Sequence, residues 1–272
     1  MPETLEKPNT KPKKTRRGEP IKNKLKKFKV WFQNVRGIKS KLESLRDKID
    51  EVRPTVIGIT ETHLLGDEKV EIDGYEIYPN GRDNSGGGVL IAVRKELEKI
   101  CTVVEKSKEV AESLWLTIDN GRVKIRVGVV YAPQESRTTT EDFKRMYDQI
   151  SEQVKQAKER QQKVLLMGDL NCKVGDEIGG NKREITKSGR LLLKMIKKEK
   201  LTILNALDIC EGLWTRTEGE SRSVLDYIIT DNDSVGAVKS MVIDEKKEFS
   251  PVGYLDNKIS YSDYNLLIAK MD

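Results

Sequence analysis

The sequence predicts a single α/β domain from Lys29 to Asp272, which follows a basic N-terminal arm over residues 1–28. Short apolar runs of strand length alternate with segments whose apolar residues recur every three or four positions, as in helices that cover a sheet. A length of 272 residues is within the range of one large α/β domain. No internal repeat and no second change in composition divides the chain after the arm.

Composition excludes several classes of protein. No run of about 18 or more apolar residues is present, which excludes a membrane-spanning helix, and the N-terminus lacks the apolar core of a secretory signal. We therefore expect an intracellular protein. Cys101, Cys172 and Cys210 lie far apart, so we expect neither a disulfide framework nor a cysteine zinc site. The single histidine, His63, excludes a metal site built from several histidines.

Positive charge is concentrated in the arm. The net charge of the chain is +6, and residues 1–29 hold eleven Lys and Arg against three acidic residues. This segment has almost no apolar residue before Ile21, so it cannot bury enough surface to fold alone. The run Lys11–Arg17 is typical of a nuclear-import signal or of an arm that binds nucleic acid. We expect a nuclear protein, with a solvated linker as the alternative interpretation of the arm.

The first half of the domain has clear local signals. Residues Lys29–Val35 predict a strand, and the apolar stripe over Ile38–Val52 predicts a helix that ends before Pro54. Two buried strands follow at Thr55–Thr60 and Gly88–Val93, which are separated by a glycine-rich turn. The runs SLWLTID and KIRVGVVY predict two more strands.

The second half repeats the alternation of helices and strands. Thr138–Thr140 can cap a long helix whose apolar stripe reaches Ala157, and Ser188–Lys200 predicts a second helix. Five strand predictions complete the domain: Lys163–Asn171, Leu201–Ala206, Val224–Thr230, Ala237–Asp244 and Asn265–Met271.

Polar side chains lie at the ends of these predicted strands, where open α/β folds place their functional sites. Asp169 and Asn171 would share one face if their strand continued through both. For any single carboxylate, a helix cap or a hydrogen bond in a turn is the more common role. The residues at the strand ends are Asn34, Glu61, Tyr131, Asp169, Asn171, Asp226 and Asp263.

A cluster of acidic residues without basic partners repels itself unless a cation joins it. Carboxylate and amide oxygens, in the absence of a Cys or His cluster, favour Mg²⁺ or Mn²⁺. Beside such an ion, Asp169 could take a proton from water and Asn171 could position that water. The pattern of residues therefore predicts metal-assisted hydrolysis of a phosphoester.

Six short motifs also resemble those of the endonuclease/exonuclease/phosphatase superfamily, in the same order. The forms ETHL, NVRGIKSKLESLR and GDLNCKVG are most similar to the endonuclease domain of non-LTR (LINE-type) retrotransposons. The resemblance spans about Lys29 to the C-terminus. The motifs are QNVRG (Gln33–Gly37), ITETHL (Ile59–Leu64), YAP (Tyr131–Pro133), GDLN (Gly168–Asn171), LDYI (Leu225–Ile228) and SDY (Ser262–Tyr264).

The resemblance implies a four-layer αββα sandwich of the DNase I-like type, with its site at one edge of the paired sheets. By motif position, Glu61 and Asn34 would hold the divalent metal, with Asp263 close to it. His63 does not fall on a catalytic position, so we expect a packing or surface role for it. Trp214-Thr215 resembles a segment that supports the site in relatives.

The resemblance also implies catalytic roles. Asp169 would be the general base, and Asn171 would align the attacking water or the phosphate. Tyr131 would hydrogen-bond the phosphate, and Asp226 would orient its neighbours or assist the leaving group. Tyr264 occupies the last position of the final motif.

One position departs from the pattern. The superfamily ends its last motif with Ser-Asp-His, whereas this chain has Ser262, Asp263 and Tyr264. A phenol with a pKa of about 10 can donate a hydrogen bond but carries no positive charge near pH 7. If the histidine supplies acid–base or charge stabilisation, its loss would lower the rate by roughly 10²–10⁴.

Three functions follow from these observations. The first is a Mg²⁺-dependent endonuclease that nicks DNA and leaves a 3′-hydroxyl. The second is a non-catalytic descendant that binds nucleic acid, and the third is a phosphatase of lipid or sugar phosphates. In an intact element the 3′-hydroxyl would prime a reverse transcriptase, which this chain lacks. We expect a truncated reading frame, a fragment or a stand-alone descendant.

Overall fold

A computed structural model describes residues 27–84, 86–178, 184–255 and 258–272. All but the last two residues of the predicted arm, including the basic run Lys11–Arg17, lie outside the described residues. Among the described helices, none combines the length and apolar character that crossing a membrane requires.

The first of two large sheets has seven strands, numbered here in chain order. Strand β1 (Phe28–Asn34) is parallel to β2 (Val56–Thr60) on one side and antiparallel to β17 (Leu267–Met271) on the other. Across the sheet the order is β10 (Cys210–Glu211), β14 (Val238–Ile243), β17 (Leu267–Met271), β1 (Phe28–Asn34), β2 (Val56–Thr60), β4 (Val89–Arg94) and β3 (Tyr75–Asn80).

The second sheet has six strands. Strand β8 (Lys163–Asp169) is parallel to β7 (Lys124–Tyr131) on one side and antiparallel to β13 (Asp226–Asp231) on the other. The order is β5 (Cys101–Ser107), β6 (Glu112–Asp119), β7 (Lys124–Tyr131), β8 (Lys163–Asp169), β13 (Asp226–Asp231) and β9 (Leu201–Ile203). Two separate hairpins pair β11 (Arg216–Glu218) with β12 (Ser221–Ser223), and β15 (Val252–Leu255) with β16 (Lys258–Tyr261).

The described α-helices are α1 (Leu42–Val52), α2 (Thr140–Glu159) and α3 (Lys187–Lys198). The hydroxyl of Thr139 accepts a hydrogen bond from an amide of the first turn of α2, and Thr186 does the same for α3. Both are favourable N-caps because a threonine oxygen satisfies a free helical N–H. As predicted, α1 ends before Pro54, with Arg53 in a left-handed conformation.

Three apolar cores separate four layers. Phe32 of β1 belongs to the core between the two sheets, whereas its neighbour Trp31 faces the opposite side and packs with Leu45 of α1. In the second sheet, Trp115 packs in a third core with Phe143 of α2. Because side chains alternate along a strand, each sheet contributes to two cores. The structure confirms the predicted αββα sandwich.

The sequence did not predict β3, β5 or the two hairpins. Both β3 and β5 lie at the edge of a sheet, where a strand pairs with a neighbour on one side only. Pro79 in β3 is tolerated because an edge strand does not need every N–H. The predicted strand Leu201–Ala206 is strand only as far as Ile203, and its last three residues form a 3₁₀ turn.

Candidate active site

Four polar side chains meet at one edge of the sandwich because they continue the inward-facing rows of their strands. Asn34 ends the row of β1 that contains Phe32, and Asp169 ends the equivalent row of β8. Register brings the second sheet's residues together, since Tyr131 and Asp226 each pair with Asp169 across neighbouring strands. The alternation of strands therefore builds most of the site.

Glu61 joins this group through an unusual backbone turn. Ile59, two residues earlier, faces α1, so a continued strand would send Glu61 away from the site. Glu61 instead adopts a left-handed conformation with φ of 51°. Its Oε1 accepts hydrogen bonds from Asn34 Nδ2 at 2.7 Å and from the Tyr131 hydroxyl at 3.1 Å.

Asn34 links the two sheets. The same Nδ2 that donates to Glu61 also donates to Asp169 Oδ2 at 2.9 Å. The orientation of this amide is fixed because its Oδ1 accepts from the Arg36 backbone N–H at 3.1 Å. Ser262 donates its hydroxyl to the Asn34 carbonyl at 2.9 Å, which ties the last motif to β1.

Backbone strain is concentrated around this group. Left-handed conformations of residues other than glycine cost about 1–3 kcal/mol each and persist where the surrounding structure enforces them. Four such residues lie within or directly beside the motifs of the site: Arg36, Glu61, His63 and Asn171.

Asp169 is fully buried, and burial raises the pKa of its carboxyl to about 7, although hydrogen bonds from Asn34 and Asn171 oppose the shift. Because β8 ends at Asp169, the strand face predicted for Asp169 and Asn171 does not form. Asn171 has a φ of 45°, donates its backbone N–H to Asp169 Oδ1 at 3.0 Å, and donates its side-chain amide to the Ala132 carbonyl. Asn171 nevertheless remains next to Asp169, the predicted general base.

Asp226 is also fully buried, and neither of its carboxylate oxygens has a hydrogen-bond partner among the described residues. Burial and the nearby charge of Asp169 raise the pKa of Asp226 well above its usual value. Thr215 Oγ1 accepts from the backbone N–H groups of Leu225 and Asp226 at 2.9 and 3.1 Å. Thr215 thus supports this part of the site.

Tyr264 is buried against the same carboxylates. Burial, followed by the charges of Asp169 and Asp226, raises the pKa of Tyr264 above its ordinary value, so its hydroxyl stays protonated. The protonated phenol lies close enough to Asp169 to lower the pKa of that carboxyl. Tyr264 therefore brings a hydroxyl that can donate a hydrogen bond into the site. The guanidinium of Arg216 lies over its ring, 5.6 Å from the centroid.

The structure places Asp263 and His63 at the rim. Asp263 forms an ion pair with Arg36 and does not contact Asn34 or Glu61 by any described hydrogen bond. His63, for which we predicted a packing or surface role, is 42% exposed, and its Nε2 lies 3.7 Å from Glu61 Oε2. The imidazole is thus a neighbour of the predicted metal ligand.

The chain also matches known proteins in sequence and in fold. The profile of the endonuclease/exonuclease/phosphatase family matches residues 32–263. The chain belongs to this family. Among curated relatives, the RNA-directed DNA polymerase of the Drosophila melanogaster mobile element jockey is 23% identical over 222 residues, which is 80% of this chain and 22% of the relative. The chain spans less than half the length of the curated relatives it matches.

Solved structures of the family share the fold. The Neisseria meningitidis 3′-5′ exonuclease NExo superposes with a TM-score of 0.66 at 16% identity, covering 90% of this chain and all of that one. The endonuclease domain of TRAS1, a telomere-specific non-LTR retrotransposon, gives a TM-score of 0.62 at 16% identity, covering 90% of this chain and 98% of that domain. The predicted similarity to retrotransposon endonucleases is confirmed.

The donor set of this family member suits a hard divalent ion. The described residues contain no cluster of three or more His, Cys, Asp or Glu side chains arranged as a metal site. Mg²⁺ does not require three such side chains, because it is commonly held by one or two carboxylates together with water and substrate phosphate. Glu61 offers one carboxylate, and the unpartnered oxygens of Asp226 show that the site is rich in uncompensated acidic groups. These residues fit such an ion.

Sequence reasoning missed three cations close to the site. Arg36 lies inside the first motif, so the sequence places it near the site. Its ion pair with Asp263 could not be predicted from the sequence. Lys247 donates to the carbonyls of Ser262 and Tyr264 at 2.8 and 2.7 Å. Neither Lys247 nor Arg216 belongs to a motif, and no local pattern marks them.

Proposed function

We propose that this family member is a Mg²⁺-dependent endonuclease that nicks DNA by attack of water on a phosphodiester and leaves a 3′-hydroxyl. One observation carries the proposal. The amide of Asn34 joins Glu61 and Asp169 in a single hydrogen-bonded group across the two sheets. A metal-binding carboxylate and a separate buried carboxylate are thereby held in fixed relation, as hydrolysis of a phosphodiester requires.

Asp169 is the proposed general base. An ordinary aspartate is a weak base at neutral pH, whereas a carboxylate whose pKa is about 7 accepts a proton far better there. The N–H groups of Asn34 and Asn171 fix both of its oxygens. Asn171, next to Asp169, is proposed to align the water or the phosphate.

Glu61, Asn34 and Asp263 are the proposed metal-binding residues. Glu61 would supply the main carboxylate, and Asn34 holds that carboxylate in place through its amide. Asp263 stands at the rim, paired with Arg36. When bound, Mg²⁺ neutralises phosphate charge as it develops in the transition state.

Three further side chains are proposed to act on the phosphate or the leaving group. Burial and the charge of Glu61 raise the pKa of Tyr131, so its hydroxyl stays protonated and can donate to a phosphate oxygen. Tyr264 can donate in the same way. Asp226, whose pKa is raised, is proposed to assist the leaving oxygen or to orient its neighbours.

DNA is the proposed substrate because the retrotransposon relatives are named as a DNA polymerase and an endonuclease domain. A reverse transcriptase that extends the nicked end is the proposed functional partner. We also propose a nuclear location, which is supported only by the run Lys11–Arg17 and by the substrate.

With supercoiled plasmid as the substrate and Mg²⁺ present, the native protein is expected to produce open circles. EDTA is expected to prevent their formation. DNA polymerase should extend the nicks without prior phosphatase treatment, because the product carries a 3′-hydroxyl. Inositol phosphates and sugar phosphates serve as competing substrates in parallel. Release of phosphate from these compounds without plasmid nicking would support a phosphatase instead, and DNA binding without nicking would support a non-catalytic descendant.

A further inference from the structure

The backbone ties Arg216 to the last motif of the site. Arg216 begins β11 and forms an isolated antiparallel bridge with Tyr264. On either side, Thr217 donates its N–H to the Asp263 carbonyl at 2.8 Å, and Asn265 donates to the Thr215 carbonyl at 2.7 Å. The base of the hairpin is therefore hydrogen-bonded to the backbone on both sides of Tyr264.

The charge of Arg216 acts on the site from this base. Its guanidinium lies over the Tyr264 ring, and its charge lowers the pKa of both Asp226 and Tyr264. One terminal nitrogen is ion-paired with Glu218 on the outer side of the hairpin. The Nε atom is buried, and it has no hydrogen-bond partner among the described residues.

A buried, unpaired N–H of a charged group is unfavourable unless a ligand satisfies it. A guanidinium held by stacking is suited to a phosphate, because its planar fork donates to neighbouring oxygens. Glu61, Asp169 and Asp226 would repel a phosphate, so a cation beside them also lowers the barrier to substrate entry.

Two other cations near the site are engaged in other contacts. The ammonium of Lys247 donates to two carbonyls, and the guanidinium of Arg36 pairs with Asp263 at the rim. Of these three cations, Arg216 is the one with a buried donor, Nε, that has no hydrogen-bond partner in the part of the chain that the structure describes.

We propose that Arg216 binds the scissile phosphate of DNA through its guanidinium, whose Nε is the donor left unpaired in the free protein, with Tyr264 as the surface on which the guanidinium is held. The inference rests on the proposed function and assigns the positive charge of the phosphate site to a residue outside the six motifs. Tyr264 is then both a hydrogen-bond donor and the support of a neighbouring cation.

The test compares Arg216→Gln with Arg145→Gln, which removes an exposed arginine from the solvent face of α2. Single-turnover nicking by Arg216→Gln is expected to fall about 10- to 100-fold, in line with the loss of one charge-assisted hydrogen bond. Arg216→Lys should recover part of this loss. Arg145→Gln should nick at the native rate.

Binding separates a phosphate contact from a structural role. With Ca²⁺ in place of Mg²⁺, anisotropy of a fluorescein-labelled duplex gives the salt dependence of affinity, whose slope should fall by about 0.9 in Arg216→Gln. A native slope in this variant, or native nicking, would overturn the inference. If the native protein binds with this Arg216-dependent slope but never nicks, the inference stands and the proposed endonuclease function fails.

Discussion

Replacing Asp169 by Asn is expected to lower the single-turnover nicking rate by about 10²–10⁴, because the variant lacks the proposed general base. The amide of asparagine has nearly the shape of the carboxyl group, and residue 169 would stay enclosed by Asn34 and Asn171. The loss should therefore appear in kcat, with little change in affinity for DNA. Quantified open circles from supercoiled plasmid give the rate.

The control for this variant is Asp148→Asn on the exposed face of α2, which makes the same chemical change away from the site. It should nick at the native rate. An Asp169→Asn protein that nicks within a few-fold of native, while remaining folded, would remove Asp169 from the role of base.

The same substitution is expected to stabilise the metal-free protein at pH 8. The folded-state pKa of Asp169 is raised from 3.8 to about 7 by burial, so folding favours the protonated form. The unfolded chain releases this proton at lower pH, and the native protein therefore loses stability as pH rises from about 4 to 7. The shift corresponds to about 4 kcal/mol at pH 8. Asparagine carries no charge and avoids this loss.

Urea unfolding in EDTA at pH 4 and pH 8 measures the effect. The free energy of unfolding of Asp169→Asn should exceed that of the native protein at pH 8, and the difference should shrink towards pH 4. Asp226 is present in both proteins, but its pKa is raised partly by the charge of Asp169, so the difference reports the ionisation of Asp169 together with its effect on Asp226. An equal difference at both pH values would show that the ionisation of Asp169 does not cause it.

Much of the site could be predicted because strands alternate with a period of two. Asn34, Tyr131, Asp169 and Asp226 stand at the ends of inward-facing rows, so the apolar pattern of each strand already fixed the direction of its last polar residue. Their order along the chain matched the superfamily, which supplied the pairing of the two sheets. The four-layer fold followed from the same resemblance.

The features of the site that sequence reasoning did not predict depend on tertiary contacts. Glu61 enters the site through a left-handed turn that no local preference of glutamate would indicate. Arg216 is brought to Tyr264 by a short hairpin whose strands of three residues carry no apolar alternation. The ion pair of Arg36 with Asp263 joins residues 227 positions apart. Contacts between residues so far apart in the sequence are set by the fold as a whole.

Tyr264 is the position at which this chain departs from the superfamily pattern. Its protonated hydroxyl lies near the carboxylates, and its ring lies beneath Arg216, so the two groups together offer a donor and a positive charge. A neutral phenol beside a guanidinium can in this way supply what a single histidine supplies elsewhere. The native protein should therefore be an active nuclease.

The decisive measurement is plasmid nicking in Mg²⁺ by the native protein and by Tyr264→His, with Asp169→Asn as the blank. We expect the native protein to nick well above the blank, and Tyr264→His to gain nothing, because imidazole replaces the phenol over which Arg216 lies. Nicking by Tyr264→His alone, with the native protein at the level of the blank, would contradict this expectation and show that the tyrosine has silenced an otherwise intact site.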